Sequence, residues 1–254
     1  MDPVTDMAGK TGSVGVLGVR IDRVNLDQSA DLILQMVLRG DPGYVVTPNA
    51  EMVWRAVKSP RFREVLNAAA LSVPDGRGVM WASRVLTDAG IVSQVAGVEL
   101  MEQLMKVAGA SSVPVYLLGS STDVLKKACL KFRERYSADI RGYHHGFFTA
   151  DEEEGVAADI ERSGAKLCLV GMGVPRQEQW MSRHALRLGV VAIGVGGALE
   201  VAAGVRKRAP VLFRELGLEW LYRIVREPRR MMRAGALPMF TVAVLFERLR
   251  RRER

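Results

Sequence analysis

Five short apolar runs, at residues 44–46, 70–73, 114–118, 166–170 and 190–195, are each followed within a few residues by a stretch of helical periodicity. Apolar runs of that length bounded by turn residues read as buried strands, and their alternation with helical segments is the signature of a parallel sheet covered by helices. Two earlier runs, 14–17 and 20–24, read as a further strand pair ahead of a helix over about 29–38. Ser120, Ser121, Thr122 and Asp123 offer caps for a helix running to Tyr136, and Pro175 suits the first turn of a helix running to Leu188. The expected fold is α/β: a Rossmann-like, largely parallel sheet with helices on both faces. One large domain fits a chain of 254 residues better than two.

In such folds ligands bind beyond the carboxyl ends of the strands, so the informative residues are those that follow each run. They are polar and rich in glycine. Thr47-Pro48-Asn49 follows the first run, Pro74-Asp75-Gly76-Arg77-Gly78 the second and Gly119-Ser120-Ser121 the third. Gly171-Met172-Gly173-Val174-Pro175-Arg176-Gln177-Glu178 follows the fourth, and the fifth contains Gly194-Val195-Gly196-Gly197. The loops should converge on one crevice.

Charge is concentrated at one end. Residues 205–254 hold 14 Lys and Arg against 5 Asp and Glu, a net +9, whereas the rest of the chain holds 22 basic and 23 acidic residues. A tail of this kind suits phosphates, whether of anionic lipid or of nucleic acid; solvated helix faces are the plainer reading. Within it Arg223, Arg226, Arg230 and Arg233 fall on one helical stripe, with Pro228 positioned to interrupt it. Met239-Phe240-Thr241-Val242-Ala243-Val244-Leu245-Phe246 then precedes an arginine-rich end, as in an interfacial amphipathic helix or a core helix with a solvated tail. That apolar run is too short to span a bilayer. The expected organisation is a disordered N-terminus over 1–12, an α/β catalytic domain over 13–204 and a basic helical appendage over 205–254.

Several chemistries are disfavoured. Cys129 and Cys168 lack the spacing of a disulfide framework or metal site and read as buried thiols, as in the cytosol. His144 and His145 are adjacent in an expected strand, so they would face opposite sides, and His184 has no metal-ligand partner four residues away. There is no Asp-x-Asp for manganese, no Gly-x-Ser-x-Gly elbow and no Walker loop.

What remains is a set of candidates, each with a structural alternative. Gly196-Gly197, running into Ala198-Leu199-Glu200, suits close approach to a phosphate or simply a tight turn. Asp75, held by Gly76 at a strand end, suits a general base or a helix cap. Thr47 and Asn49 suit sugar hydroxyls, orientation of a base, or capping. Gln177 and Glu178 suit sugar recognition, with solvent exposure as the alternative for Glu178, and Met172 and Trp180 suit packing.

Taken together, Val-Val-Thr-Pro-Asn-Ala-Glu-Met-Val-Trp-Arg-Ala, Val-Pro-Asp-Gly-Arg-Gly, Val-Ala-Gly-Val-Glu-Leu, Leu-Val-Gly-Met-Gly-Val-Pro-Arg-Gln-Glu-Gln-Trp and Gly-Leu-Glu-Trp-Leu-Tyr-Arg resemble, in order, the WecG/TagA/CpsF glycosyltransferases. The resemblance runs from about Val14 to Arg233. It implies a metal-independent, cofactor-free, inverting enzyme, cytoplasmic and peripheral on the inner face of the membrane. Such an enzyme moves a sugar, N-acetylmannosamine in one branch, from UDP to an undecaprenyl-diphosphate-linked sugar for teichoic acid or exopolysaccharide synthesis. It further implies Asp75 as catalytic base with Thr47 and Asn49 beside it. The implied substrate surface takes in Gln94, Gly119, Phe147, Gly171, Pro175, Arg176, Gln177, Glu178, Gly196, Gly197 and Glu200. Arg223, Arg230 and Arg233 would meet the lipid diphosphate. Partners are thus the UDP-sugar, the polyprenyl-linked acceptor and an anionic membrane, with no nucleic acid and with assembly state open.

Two positions depart from the pattern. Gln94 stands where an arginine is expected to meet the diphosphate, and Glu200 where an aspartate is expected to face the nucleotide. Both bear on the choice of donor, so a glucosyltransferase making an exopolysaccharide precursor is the first alternative. A non-catalytic nucleotide- or nucleic-acid-binding module is the second.

Overall fold

The computed structural model describes residues 12–88, 90–210, 213, 222 and 235–252. Eight strands are found there: β1 (Ser13–Val16), β2 (Val19–Asp22), β3 (Gly43–Val46), β4 (Leu71–Ser72), β5 (Val115–Gly119), β6 (Ile140–His144), β7 (Leu167–Gly171) and β8 (Val191–Gly194). The helices, numbered along the described residues, are α1 (Leu26–Arg39), α2 (Ala50–Lys58), α3 (Pro60–Asn67), α4 (Arg77–Leu86), α5 (Gly97–Ala110), α6 (Thr122–Tyr136), α7 (Glu153–Ser163), α8 (Arg176–His184), α9 (Ala198–Ala202) and α10 (Ala236–Arg252).

Strands β3 to β8 form one parallel sheet in the order β4-β3-β8-β7-β5-β6. Its central strands are buried on both faces, which is why they read as unbroken apolar runs. Val45, Leu117, Leu169 and Ile193 point to one face, where α1, α5, α6 and α9 cover them. Val46, Leu118, Val170 and Ala192 point to the other, under α2, α3, α4, α7, α8, α10 and the β1–β2 pair. Each fully buried Leu, Ile or Val contributes about 1.5–3 kcal/mol by leaving water, so the two faces carry most of the stability.

Local signals set the boundaries. The β1–β2 pair is antiparallel and separate from the sheet, closed by Leu17 and Gly18, both at positive φ (48° and 83°). Asp22 ties it to β4: its carboxylate accepts from the Ser72 backbone N–H at 2.8 Å, and burial holds its pKa above the usual value. Helix α1 begins three residues earlier than the pattern 29–38 suggests, because Asn25 and Gln28 form a reciprocal capping box. Helix α6 begins after Ser121 without any side-chain cap bond, so the expected capping by the Ser-Ser-Thr-Asp run is not used. Helix α8 ends at His184 rather than Leu188, since the chain turns back and the Val190 N–H bonds the Ala185 carbonyl.

The connections also define a crevice. β5 leads outward to β6, whereas β7 leads back to β8, so the chain leaves these neighbouring strands in opposite directions. Opposite departure opens a cleft at the carboxyl ends of β5 and β7, the place where open α/β sheets bind ligands.

Helix α10 is docked rather than detached. Phe240 and Val244 are buried against α2 and α4, and Arg251 donates to the Leu86 carbonyl at 3.1 Å. Truncating Phe240→Ala should therefore lower the unfolding free energy by about 3–5 kcal/mol. A loss below about 1 kcal/mol in chemical denaturation would mean that α10 is not part of the cooperative core.

Candidate active site

The cleft has a floor made of backbone. A Cβ on Gly119 would lie 2.7 Å from the Gly171 Cα, and one on Gly171 would lie 2.8 Å from the Gly196 carbonyl oxygen. A Cβ on Gly146, just after β6, would lie 2.9 Å from the Gly119 Cα. Side chains at these positions would force the strand ends apart, so glycine is what lets four loops meet. Backbone bonds lock the approach: Ser120 N–H donates to the Gly171 carbonyl at 3.1 Å, and Gly146 N–H to the Ser120 carbonyl at 3.0 Å. Onto this floor Glu200 extends from α9, its Oε1 accepting from the Ser120 hydroxyl at 2.8 Å while its buried Oε2 has no hydrogen bond.

At the other end of the sheet, Asp75 follows β4 and is half-buried, its N–H bonded to the Pro48 carbonyl at 3.1 Å. The cap position of α4 falls on Gly76, at φ 85°, which leaves Asp75 outside the helix. Thr47, just past the end of β3, is buried and donates its hydroxyl to the Gly194 carbonyl at 3.3 Å, joining the β3 and β8 ends. Asn49 takes the capping option: its side chain accepts from the Met52 N–H as the N-cap of α2. Gln94 is exposed on the segment that returns to this loop, where the Val95 N–H bonds the Pro74 carbonyl at 2.9 Å. Asp75, Thr47, Asn49 and Gln94 thus gather at the β3–β4 end.

Gln177 and Glu178 are buried in α8, and the solvent-exposed alternative for Glu178 does not hold: it is 1% exposed. The Gln177 amide oxygen accepts from the Gly173 N–H at 3.1 Å, and its NH₂ donates to Glu178 Oε1 at 2.8 Å. The pair therefore splints the loop after β7, behind Pro175, which follows a cis peptide bond. Burial pushes the Glu178 carboxyl up to about 7, against hydrogen bonds from Gln177 and its own backbone and the nearby Arg55 charge. Trp180 is buried, in the packing role expected of it.

Beyond β6, Phe147 is 74% exposed and lines a cavity of about 400 Å³ with Ser121, Thr122, Asp123 and His145. Arg176 crosses to this loop, donating to the Gly146 and Phe148 carbonyls at 2.6 and 2.7 Å and lying over the Phe148 ring. The two histidines do not face opposite ways. β6 stops at His144, the chain turns, and the rings come together with centroids 4.4 Å apart. Among the described residues, no three His, Cys, Asp or Glu side chains gather as a metal site requires.

Arg223, Arg230 and Arg233 lie outside the described residues. Sequence reading missed Ser120 as the partner of Glu200, and it missed Arg206, whose guanidinium rests against Gly197 beside Glu200 Oε2. From sequence Ser120 reads as a cap or a strand-end loop residue, and Arg206 as one charge of a basic run. Their shared site depends on elements far apart in the chain.

A family model described as "Glycosyl transferase WecG/TagA/CpsF family" matches residues 14–254, past the limit at Arg233 that the motifs suggest. The chain is 34% identical over 233 residues, 91% of both sequences, to an N-acetylglucosaminyldiphosphoundecaprenol N-acetyl-beta-D-mannosaminyltransferase of Staphylococcus aureus strain MW2. It is 35% identical over the same span to the protein of that name from strain MRSA252.

The buried carboxyl on α8 carries a pH signature. Its pKa is raised in the fold, so the stability linked to its protonation is full below the unfolded value near 4.5 and is lost as pH rises through about 7. Glu178→Gln mimics the protonated form and should remove that loss, gaining up to about 3 kcal/mol over the parent at pH 8 and little at pH 4.5. Parallel denaturation curves at both pH values would contradict the assignment.

Proposed function

The chain belongs to the WecG/TagA/CpsF family of glycosyltransferases, and from that premise we propose that it moves N-acetylmannosamine from UDP to an undecaprenyl-diphosphate-linked N-acetylglucosamine. The reading of donor and acceptor rests on the names of the Staphylococcus aureus relatives. The observation that carries it in this chain is the run of loops along one sheet edge, with the Asp75 loop at β4 and a glycine floor at β8, β7 and β5. From β4 to β5 is four strand spacings, roughly 19 Å. That length suits an extended nucleotide sugar with its nucleoside over the floor and its sugar toward Asp75.

Asp75 acts as general base. It removes the proton of the acceptor hydroxyl as that oxygen attacks the anomeric carbon, the bond from that carbon to the diphosphate breaks, and UDP leaves with the bonding electrons. Attack opposite the leaving group inverts the anomeric centre without a covalent intermediate. Thr47 holds the β3 and β8 ends in register at the reacting sugar, and the Gln177–Glu178 pair keeps the loop after β7 in place. The step is proposed to need no metal.

The acceptor is lipid-linked, and α10 offers the chain a way to reach it. While Phe240 and Val244 face the core, Met239, Val242, Leu245, Phe246 and Leu249 are 46–68% exposed, next to exposed Arg248, Arg250 and Arg251. No helix among the described residues is long and apolar enough to cross a membrane. An apolar stripe flanked by arginines suits the interface of an anionic leaflet.

The reaction is tested by UDP release from a panel of UDP-sugars with short-chain lipid-diphosphate GlcNAc or glucose acceptors, with and without EDTA. Acceptor-dependent release from UDP-N-acetylmannosamine, unaffected by EDTA, is expected, and Asp75→Asn should lower it by about 100-fold or more. Turnover with UDP-glucose alone would transfer the assignment to the glucosyl branch, and wild-type turnover in Asp75→Asn would remove Asp75 as base. Phe246→Glu should lower sedimentation with anionic vesicles several-fold at unchanged thermal stability; equal sedimentation would remove α10 from the membrane contact.

A further inference from the structure

The donor reading leaves one charge unassigned. A nucleotide sugar brings a diphosphate whose negative charge grows on departure, yet Gln94, at the position where a cation is expected, is neutral and exposed beside the Asp75 loop. We infer that Arg206 is the residue that binds the donor diphosphate, seated over Gly197 at the carboxyl end of β8. This inference rests on the reading of the cleft as a nucleotide-sugar site.

Three observations support it. The first is position. Along the strand ends β8 lies between β3 and β4, which carry Thr47 and Asp75, and β7 and β5, which carry the glycine floor. A donor laid along that edge has its diphosphate in the middle, one to two strand spacings, roughly 5–10 Å, from the β3 and β4 ends. The second is the seat. The Arg206 guanidinium occupies the space a Cβ on Gly197 would take, and Glu200 Oε2 lies 3.3 Å from the same point. Only glycine leaves room for a guanidinium there. The third is anchoring. The Val205 and Arg206 N–H groups both donate to the Glu200 carbonyl at 3.0 Å, so the turn after α9 fixes the root of the side chain over the cleft.

Glu200 and Arg206 then divide the donor between them. A carboxylate suits hydroxyl donors of the nucleoside, and the planar fork of arginine suits paired phosphate oxygens. The same juxtaposition gives Arg206 work before the donor arrives, because its charge sits beside the Glu200 oxygen that lacks a hydrogen bond.

The test compares UDP with uridine, which lacks phosphates, by ligand-observed NMR competition on the full chain. Arg206→Gln should weaken UDP binding by roughly 10- to 100-fold, the size of a lost charge-assisted contact, and leave uridine within about twofold. Gly197 has φ −79°, which alanine adopts freely, so Gly197→Ala should push the guanidinium off its seat and reproduce the pattern with the charge retained. Unchanged UDP affinity in either variant would overturn the inference. A parallel fall of uridine and UDP would overturn it too, since Arg206 would then act only by holding Glu200. If the parent protein binds neither ligand, the donor reading itself fails.

Discussion

Everything in the cleft depends on how closely the ends of β5, β7 and β8 approach one another. Parallel strands normally separate beyond their last hydrogen bond, because side chains on the following loops need room. Here Gly119 and Gly171 remove those side chains, so the Gly119 backbone packs on Gly171 and Gly171 packs on the Gly196 carbonyl. The consequence reaches beyond the floor. With the loops in contact, Glu200 on α9 can reach Ser120 across the intervening β7.

A second constraint works from beneath. The sheet is apolar on both faces, yet α8 places Gln177 and Glu178 in its interior. Burying an amide and a carboxyl is costly unless each finds a partner. They find one another and the Gly173 N–H, so the cost is offset by fixing the glycine-rich loop between β7 and α8. The raised pKa of Glu178 belongs to the same account: burial favours the neutral acid, which bonds its neighbours without carrying an unsolvated charge. Its Oε2 and the Arg55 Nε are both buried without a hydrogen-bond partner.

The C-terminal region shows why composition alone left its role open. The run Met239 to Phe246 suits either a core helix or an interfacial one, and α10 has both a buried apolar side and an exposed one. Phe240 and Val244 enter the core, while Met239, Val242 and Phe246 stay outside on another side of the same helix. A helix with two apolar faces has no single amphipathic signature, so its period could not choose between the readings.

The sequence by itself determined the fold class, five of the six strands of the sheet to within a residue or two, and the glycine-rich loops at their ends. Those properties are local: a run of Val, Leu and Ile buries itself, and a glycine admits a turn, whatever lies elsewhere in the chain. The ordered motifs also carried the family. Tertiary structure alone decided which loops touch. It set the strand order β4-β3-β8-β7-β5-β6, buried Glu178, and brought His144 against His145. It also laid Arg206 on Gly197 beside Glu200, three residues joined only because the turn after α9 folds back over the sheet edge. Contacts of that kind depend on how whole elements pack, and neither periodicity nor the spacing of residues along the chain encodes them.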